Sequence, residues 1–198
     1  MQHIFTIPVP YTSYMSERYR TLHDAAAVND ATKRMAQEII SDYPRKKPLF
    51  VALLRGAAPF ASKLLFEIAR QQPEMHPELD YMMVSTYGRE RHAGEPRIVT
   101  DLSPSTEVSG RTVIVLDDIL DKGITANFVQ QHLRSMGAGS IRLAVLASKQ
   151  TKRVFDIEAD YTGFTVRDEW LVGMGMDDAG LCHEGNRWID EIWEIVRE

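Results

Sequence analysis

The stretch VIVLDDILDKGIT, residues 113–125, decides how this chain is read. Its first four residues form an apolar run, the pattern of a strand covered on both faces. Asp117 and Asp118 follow at once, then an apolar pair, then Asp121. Lys122-Gly123-Ile124-Thr125 lead into a segment, 125–136, whose Phe128, Val129, Leu133 and Met136 share one helical face, and Gly137 ends it. A strand-to-helix loop with a glycine lets backbone amides converge on an anion at a helix N-terminus, and Thr125 adds a hydroxyl donor there. The carboxylates lie on the other side of the same loop, suited to ribose hydroxyls or to water around a metal. For an isolated Asp-Asp the better reading is an acidic capping turn. Three carboxylates, a glycine and a threonine between one strand and one helix exceed what a cap requires.

Working outward, Leu49–Leu54 (LFVALL) is a second doubly covered strand, ended by Arg55-Gly56. Pro59 then opens a helix with Phe60, Leu64, Leu65 and Ile68 on one face. Upstream, Val28, Met35, Ile39 and Tyr43 give a helical stripe that Asn29 or Asp30 can cap. Downstream, residues 81–85 read as a strand, and GRERHAGEPR, 88–97, as a mobile charged loop. Residues 141–147 read as another strand, 161–165 and 170–172 as short strands. In the tail, 188–196, Trp188, Ile189, Ile192, Trp193 and Val196 fall on one helical stripe. Alternating strands and helices predict an α/β domain with a mainly parallel sheet. Ligands in such sheets bind beyond the carboxyl ends of the strands.

The 198 residues suit one well-buried domain, and 44% hydrophobic with 26% charged residues is an ordinary globular composition. A net charge of -5 argues against a general nucleic-acid binder. Cys182 is the single cysteine, which predicts a reducing compartment, and with no basic-then-apolar leader the expected location is cytoplasmic. No apolar run approaches the roughly 20 residues that span a bilayer, so no membrane is expected.

VIVLDDILDKGIT closely resembles the ribose-phosphate loop of type I phosphoribosyltransferases. From about Val28 to Asp177 the chain is similar to the hypoxanthine-guanine branch of that family. Leu53-Leu54-Arg55-Gly56 resembles its pyrophosphate loop, and Thr86-Tyr87-Gly88 the start of its flexible catalytic loop. Lys149 falls where the family carries its purine-reading lysine. Tyr161-Thr162-Gly163-Phe164 and Asp168-Glu169-Trp170-Leu171-Val172-Gly173, followed by Asp177, resemble its purine-hood stretch.

The resemblance implies a type I phosphoribosyltransferase fold over 1–198 as a single domain. A mainly parallel sheet is flanked by helices, and a small hood is formed by the N-terminal region and about 160–198. It implies transfer of phosphoribose from phosphoribosyl pyrophosphate to N9 of hypoxanthine, guanine or xanthine, with Mg2+ as cofactor. Asp117 and Asp118 would hold ribose hydroxyls and the magnesium shell, and Asp177, on the purine side, would hold a second magnesium. Asp121 would be the catalytic base or acid near purine N7, or an electrostatic stabiliser. The amides of Asp121, Lys122, Gly123, Ile124 and Thr125 would hold the 5′-phosphate. Arg55 and Gly56 would present amides to pyrophosphate through a cis peptide, with Thr86 and Tyr87 closing over it. Ile119, Lys149, Trp170 and Leu171 would contact the purine, Lys149 through O6. A homodimer or homotetramer is implied.

Two departures stand out. Lys122 replaces a Thr or Ser usual in the family. The arginine usual after Asp177, on the pyrophosphate side, is His183 here, with Arg187 further along. A sensor of phosphoribosyl pyrophosphate that has lost catalysis is the reading from another class. The presence of Asp121 and the lack of an evident helix-turn-helix weigh against it. A transferase for another base is a third, opposed by Lys149 with Trp170.

Overall fold

In a computed structural model, residues 18–44, 46–87, 93–181 and 184–196 are described. The chain runs β1 (Tyr19–His23), α1 (Ala25–Asp42), β2 (Leu49–Leu54), α2 (Ala58–Gln71), β3 (Glu78–Tyr87), β4 (Ala93–Thr100) and β5 (Thr112–Leu120). It continues through α3 (Ile124–Ser135), β6 (Ser140–Lys149), β7 (Tyr161–Val166), β8 (Leu171–Val172) and β9 (Ile192–Ile195). One sheet has the order β4-β3-β2-β5-β6-β7. β2 pairs parallel with β3 and β5, and β6 parallel with β5 and β7. β4 returns antiparallel on β3.

The apolar runs are continuous because both faces of this sheet are covered. Leu49, Val51, Val113, Val115, Leu143 and Val145 pack with Val129 and Leu133 of α3. Phe50, Ala52, Ile114, Leu116, Ala144 and Leu146 face the other way, onto Val28, Met35 and Ile39 of α1 and Phe60, Leu64 and Ile68 of α2. Full burial of one such side chain is worth about 2 kcal/mol, so neither face tolerates the polar alternation of a half-exposed strand. The α/β architecture with a mainly parallel sheet between helices is the one expected.

Several local expectations change. Asp24 caps α1, its Oδ1 accepting the Ala27 amide at 2.8 Å. Asn29 and Asp30 therefore lie inside the helix; the alanines after Asp24 favour helix without marking a face. β5 runs on to Leu120, pairing with β6 as far as Ser148, so Asp117 and Asp118 sit on the strand rather than beyond it. Of the loop expected at 88–97, residues 93–97 belong to β4, while 88–92 lie outside the described residues. A charged strand on a sheet edge has the composition of a loop.

The tail is the largest correction. Ile192–Ile195 is a strand, not part of a helix, and it lies between β1 and β8 in a second, three-stranded sheet. Both pairings are antiparallel. Ile192 is fully buried while Trp188 and Val196 are exposed. The helical spacing of the Trp and Ile residues was coincidental, because the deciding partner, β1, comes from the other end of the chain. Among the described residues no helix is long and apolar enough to cross a membrane.

Candidate active site

The chain leaves β2 for β3 on one side and later places β5 on the other. The strand order reverses between β2 and β5, and the carboxyl ends of these parallel neighbours leave a crevice. A cavity of about 510 Å³ lies there. It is lined by Leu53, Leu54 and Gly56, by Val84 of β3, by the continuous run 117–126 and by Arg187. The stretch that decided the fold thus supplies most of the cavity wall.

Gly123 occupies the N-cap of α3 in a left-handed conformation, φ 76°, and no side chain caps the helix. The loop carboxylates therefore do not serve as a helix cap. Asp121 turns away from the helix: its Oδ1 accepts the Thr151 hydroxyl at 2.9 Å. Its oxygens also lie 3.7 Å from Lys122 Nζ and 3.8 Å from Lys149 Nζ. The first amides of α3 can therefore serve an anion without a competing side chain, and the helix dipole adds positive potential at the same point. Segment 151–157 braces the loop from behind. The Val154 amide donates to the Lys122 carbonyl at 3.0 Å, and a side chain at Gly123 would press on the Phe155 carbonyl.

Asp117 and Asp118 form the opposite wall. Burial pushes the Asp117 carboxyl well above the usual range, and the neighbouring charge of Asp118 pushes it further. Burial also raises Asp118, against hydrogen bonding from Asp117 and the nearby Arg187 charge. A pair of adjacent carboxylates in such surroundings invites a cation. Gly56 packs directly on Asp118, where any side chain would overlap the carboxylate. The Leu54–Arg55 peptide is cis, as the resemblance implied. Gly175, at φ 109°, packs in turn on the Gly56 carbonyl and the Asp118 side chain.

Lys149 ends β6 and is buried. Its ammonium lies between Asp121 and Asp168, 3.3 Å from Asp168 Oδ1. Arg187 is also buried; it contacts Asp177 Oδ1 at 2.9 Å, Glu184 Oε2 at 2.6 Å and the Gly175 carbonyl. Asp117, Asp118, Ile119, Asp121, Lys122, Gly123, Ile124, Thr125, Gly56 and Arg187 are therefore brought together, and Lys149 joins them through Asp121.

Other expected positions lie apart. Trp170 is half-exposed and borders a separate, shallow cavity of about 330 Å³ with Arg20, Asp168 and Glu169. Leu171 is buried and pairs with Glu194 of β9. Asp177 is reached through Arg187, and Arg55 through Glu184. Thr86 and Tyr87 close β3. His183, with Cys182, lies outside the described residues. Thr151, Gly175 and Glu184 are residues that sequence reasoning missed. Thr151 stands two places after Lys149, and that proximity was the one signal available for it.

A model of the phosphoribosyl transferase domain matches residues 18–179. The chain is 39% identical over 147 residues to a hypoxanthine-guanine phosphoribosyltransferase of Streptococcus thermophilus, covering 74% of this chain and 78% of that protein. A protein of the same name from Streptococcus mutans is 35% identical over 161 residues, 81% of this chain and 86% of its own. Among solved structures, a hypoxanthine phosphoribosyltransferase of Staphylococcus aureus superposes with a TM-score of 0.81 at 28% identity, covering 94% of this chain and 97% of that one. A hypoxanthine-guanine phosphoribosyltransferase of Bacillus anthracis does so with a TM-score of 0.75 at 27% identity, covering 89% and 97%.

Proposed function

The chain belongs to the phosphoribosyl transferase domain family, and we propose that it is a purine-salvage enzyme. It would transfer phosphoribose from phosphoribosyl pyrophosphate to N9 of hypoxanthine, guanine or xanthine, releasing the nucleoside 5′-monophosphate and pyrophosphate. The observation that carries this reading is the uncapped start of α3 facing the same cavity as Asp117, Asp118 and Asp121. One cavity then offers amides for a 5′-phosphate and carboxylates for ribose hydroxyls. Lys149, beside Asp121, supplies a donor for the base.

In the reaction the bond from C1 to the pyrophosphate oxygen breaks and the bond from C1 to N9 forms. Positive charge builds on the ribose ring as the leaving group departs. The buried carboxylates of Asp117 and Asp118 stabilise that charge and orient the sugar. O6 and N7 share one edge of a purine, and Lys149 and Asp121 stand side by side. Lys149 donates to O6 while Asp121 takes the proton that the base loses. The 6-amino group of adenine is itself a donor, so an ammonium there disfavours it. The residues fit magnesium: two adjacent buried carboxylates, with substrate oxygens completing the shell, match its preference for oxygen ligands. Asp117 and Asp118 would hold it, and Asp177 would hold a second ion through the oxygen that Arg187 leaves open. Magnesium would neutralise the charge of the leaving pyrophosphate. Arg187 takes the pyrophosphate side, where the family's usual arginine is replaced by His183.

A homodimer or homotetramer in the cytoplasm completes the reading. The deciding experiment is a spectrophotometric assay with phosphoribosyl pyrophosphate, magnesium and each of hypoxanthine, guanine, xanthine and adenine. Turnover of at least one 6-oxopurine, with adenine inert, is expected. No turnover of any 6-oxopurine would sink the proposal.

A further inference from the structure

The carboxylate of Glu184 spans two guanidinium groups. Its Oε1 lies 2.5 Å from Arg55 Nη1, and its Oε2 accepts from Arg187 Nε at 2.6 Å. Arg55 begins the turn after β2, and Arg187 lines the main cavity beside Asp118 and Gly56. The bridge therefore crosses from the β2–α2 turn to the segment preceding β9, at one end of the cavity.

The partners are unequally fixed. Arg187 is held without Glu184, because Asp177 and the Gly175 carbonyl take its two terminal nitrogens. Arg55 and Glu184 are looser, with side chains 52% and 38% exposed. A half-exposed ion pair is weak and readily exchanged, unlike a fully buried one. A guanidinium donates to carboxylate and to phosphate oxygens alike. Each guanidinium gives Glu184 one nitrogen, a contact that a phosphate oxygen could take instead.

We propose that Glu184 is an affinity-setting residue that competes with the pyrophosphate group of the substrate for Arg55 and Arg187. Pyrophosphate, with its higher charge, displaces the carboxylate, and the free energy of breaking the bridge weakens binding on that side. A site tuned this way holds phosphoribosyl pyrophosphate less tightly and releases pyrophosphate more readily. This inference rests on the function proposed above.

The test is calorimetric titration of the full chain with inorganic pyrophosphate and magnesium, for wild type, Glu184→Gln and Glu184→Asp. Glutamine keeps the shape and removes the charge. Glu184→Gln is expected to bind pyrophosphate roughly three- to tenfold more tightly, the scale of one or two part-exposed ion pairs. The KM for phosphoribosyl pyrophosphate should fall by a similar factor. Equal or weaker binding by a Glu184→Gln protein that melts cooperatively would overturn the inference. If that variant does not fold, Glu184→Asp decides: its shortened carboxylate should release the arginines in part and tighten binding about twofold, and unchanged or weaker binding is the contrary result. Wild type showing neither pyrophosphate binding nor turnover would overturn the enzyme reading itself. Normal wild-type turnover with no gain in the variants overturns the role of Glu184 alone.

Discussion

Asp121 is held by a hydroxyl and flanked by two ammonium groups instead of capping a helix. The Thr151 hydroxyl fixes one of its oxygens, leaving the other toward Lys149 and the cavity. Asp121→Asn should lower kcat by about 100-fold, the lower end of what a positioned acid or base contributes. Thr151→Val should lower it less, by roughly three- to tenfold, the scale of about 1 kcal/mol that one hydrogen bond contributes. Thr151→Ser should restore most of the rate, because the hydroxyl and not the methyl does the positioning. Steady-state kinetics on purified variants check all three, and an unchanged rate in Asp121→Asn would remove that residue from the chemistry. The cavity wall was legible in the sequence because its residues stand in one string, 117–125, running from strand through loop to helix. Thr151 and Glu184 were not legible in that way. Asp121 and Arg55 reach them from other segments, and a lone Thr or Glu in a polar stretch carries no pattern.

At the scale of elements, apolar runs and turn residues located β2, β5, β6, α2 and α3, since strands covered on both faces leave an unmistakable run. Gly137 marked the end of α3 for a physical reason. It sits at φ 85°, and the Gly137 and Ala138 amides return to the Arg134 and Leu133 carbonyls at 3.0 and 3.1 Å. The tail deceived because a four-residue strand is too short for its period to be separated from a helical one. Its true partners show only in the fold, where β9 sits between β1 and β8. Two substitutions distinguish the strand from the helical stripe. Ile192, fully buried in β9, should cost about 2–4 kcal/mol when changed to Ala. Trp188, 69% exposed, should change stability by no more than about 0.5 kcal/mol. Chemical denaturation of both variants measures the contrast. Similar large losses from both would mean that the stripe packs as one face.

At the scale of the molecule, the three-stranded sheet is fastened near the site by one buried cluster, and that cluster sets a pH window for stability. Asp178 Oδ2 accepts the Tyr19 hydroxyl at 2.6 Å and Arg18 Nη2 at 2.8 Å, and its Oδ1 accepts the Gly180 amide at 2.9 Å. Burial alone would raise the Asp178 carboxyl, but these bonds outweigh it and hold the group below its usual value of 3.8. Tyr19 moves the other way: burial, then the hydrogen bond and charge of Asp178, push its hydroxyl from 10.0 up to about 12. A depressed carboxyl favours the fold above its unfolded value, and that contribution is lost as pH falls below about 4 through the folded value. A raised phenol favours the fold below pH 10, and its contribution is lost as pH climbs from 10 toward 12. The pair thus supports a plateau bounded on both sides. In calorimetric melts across pH, Asp178→Asn should lower Tm at neutral pH and flatten the acid limb. Tyr19→Phe should remove this phenol's share of the alkaline limb and weaken the acid limb in part, because it also takes away the strongest bond holding the Asp178 carboxylate, while Arg18 and the Gly180 amide keep the rest. An alkaline limb unchanged in Tyr19→Phe would show that other groups set it.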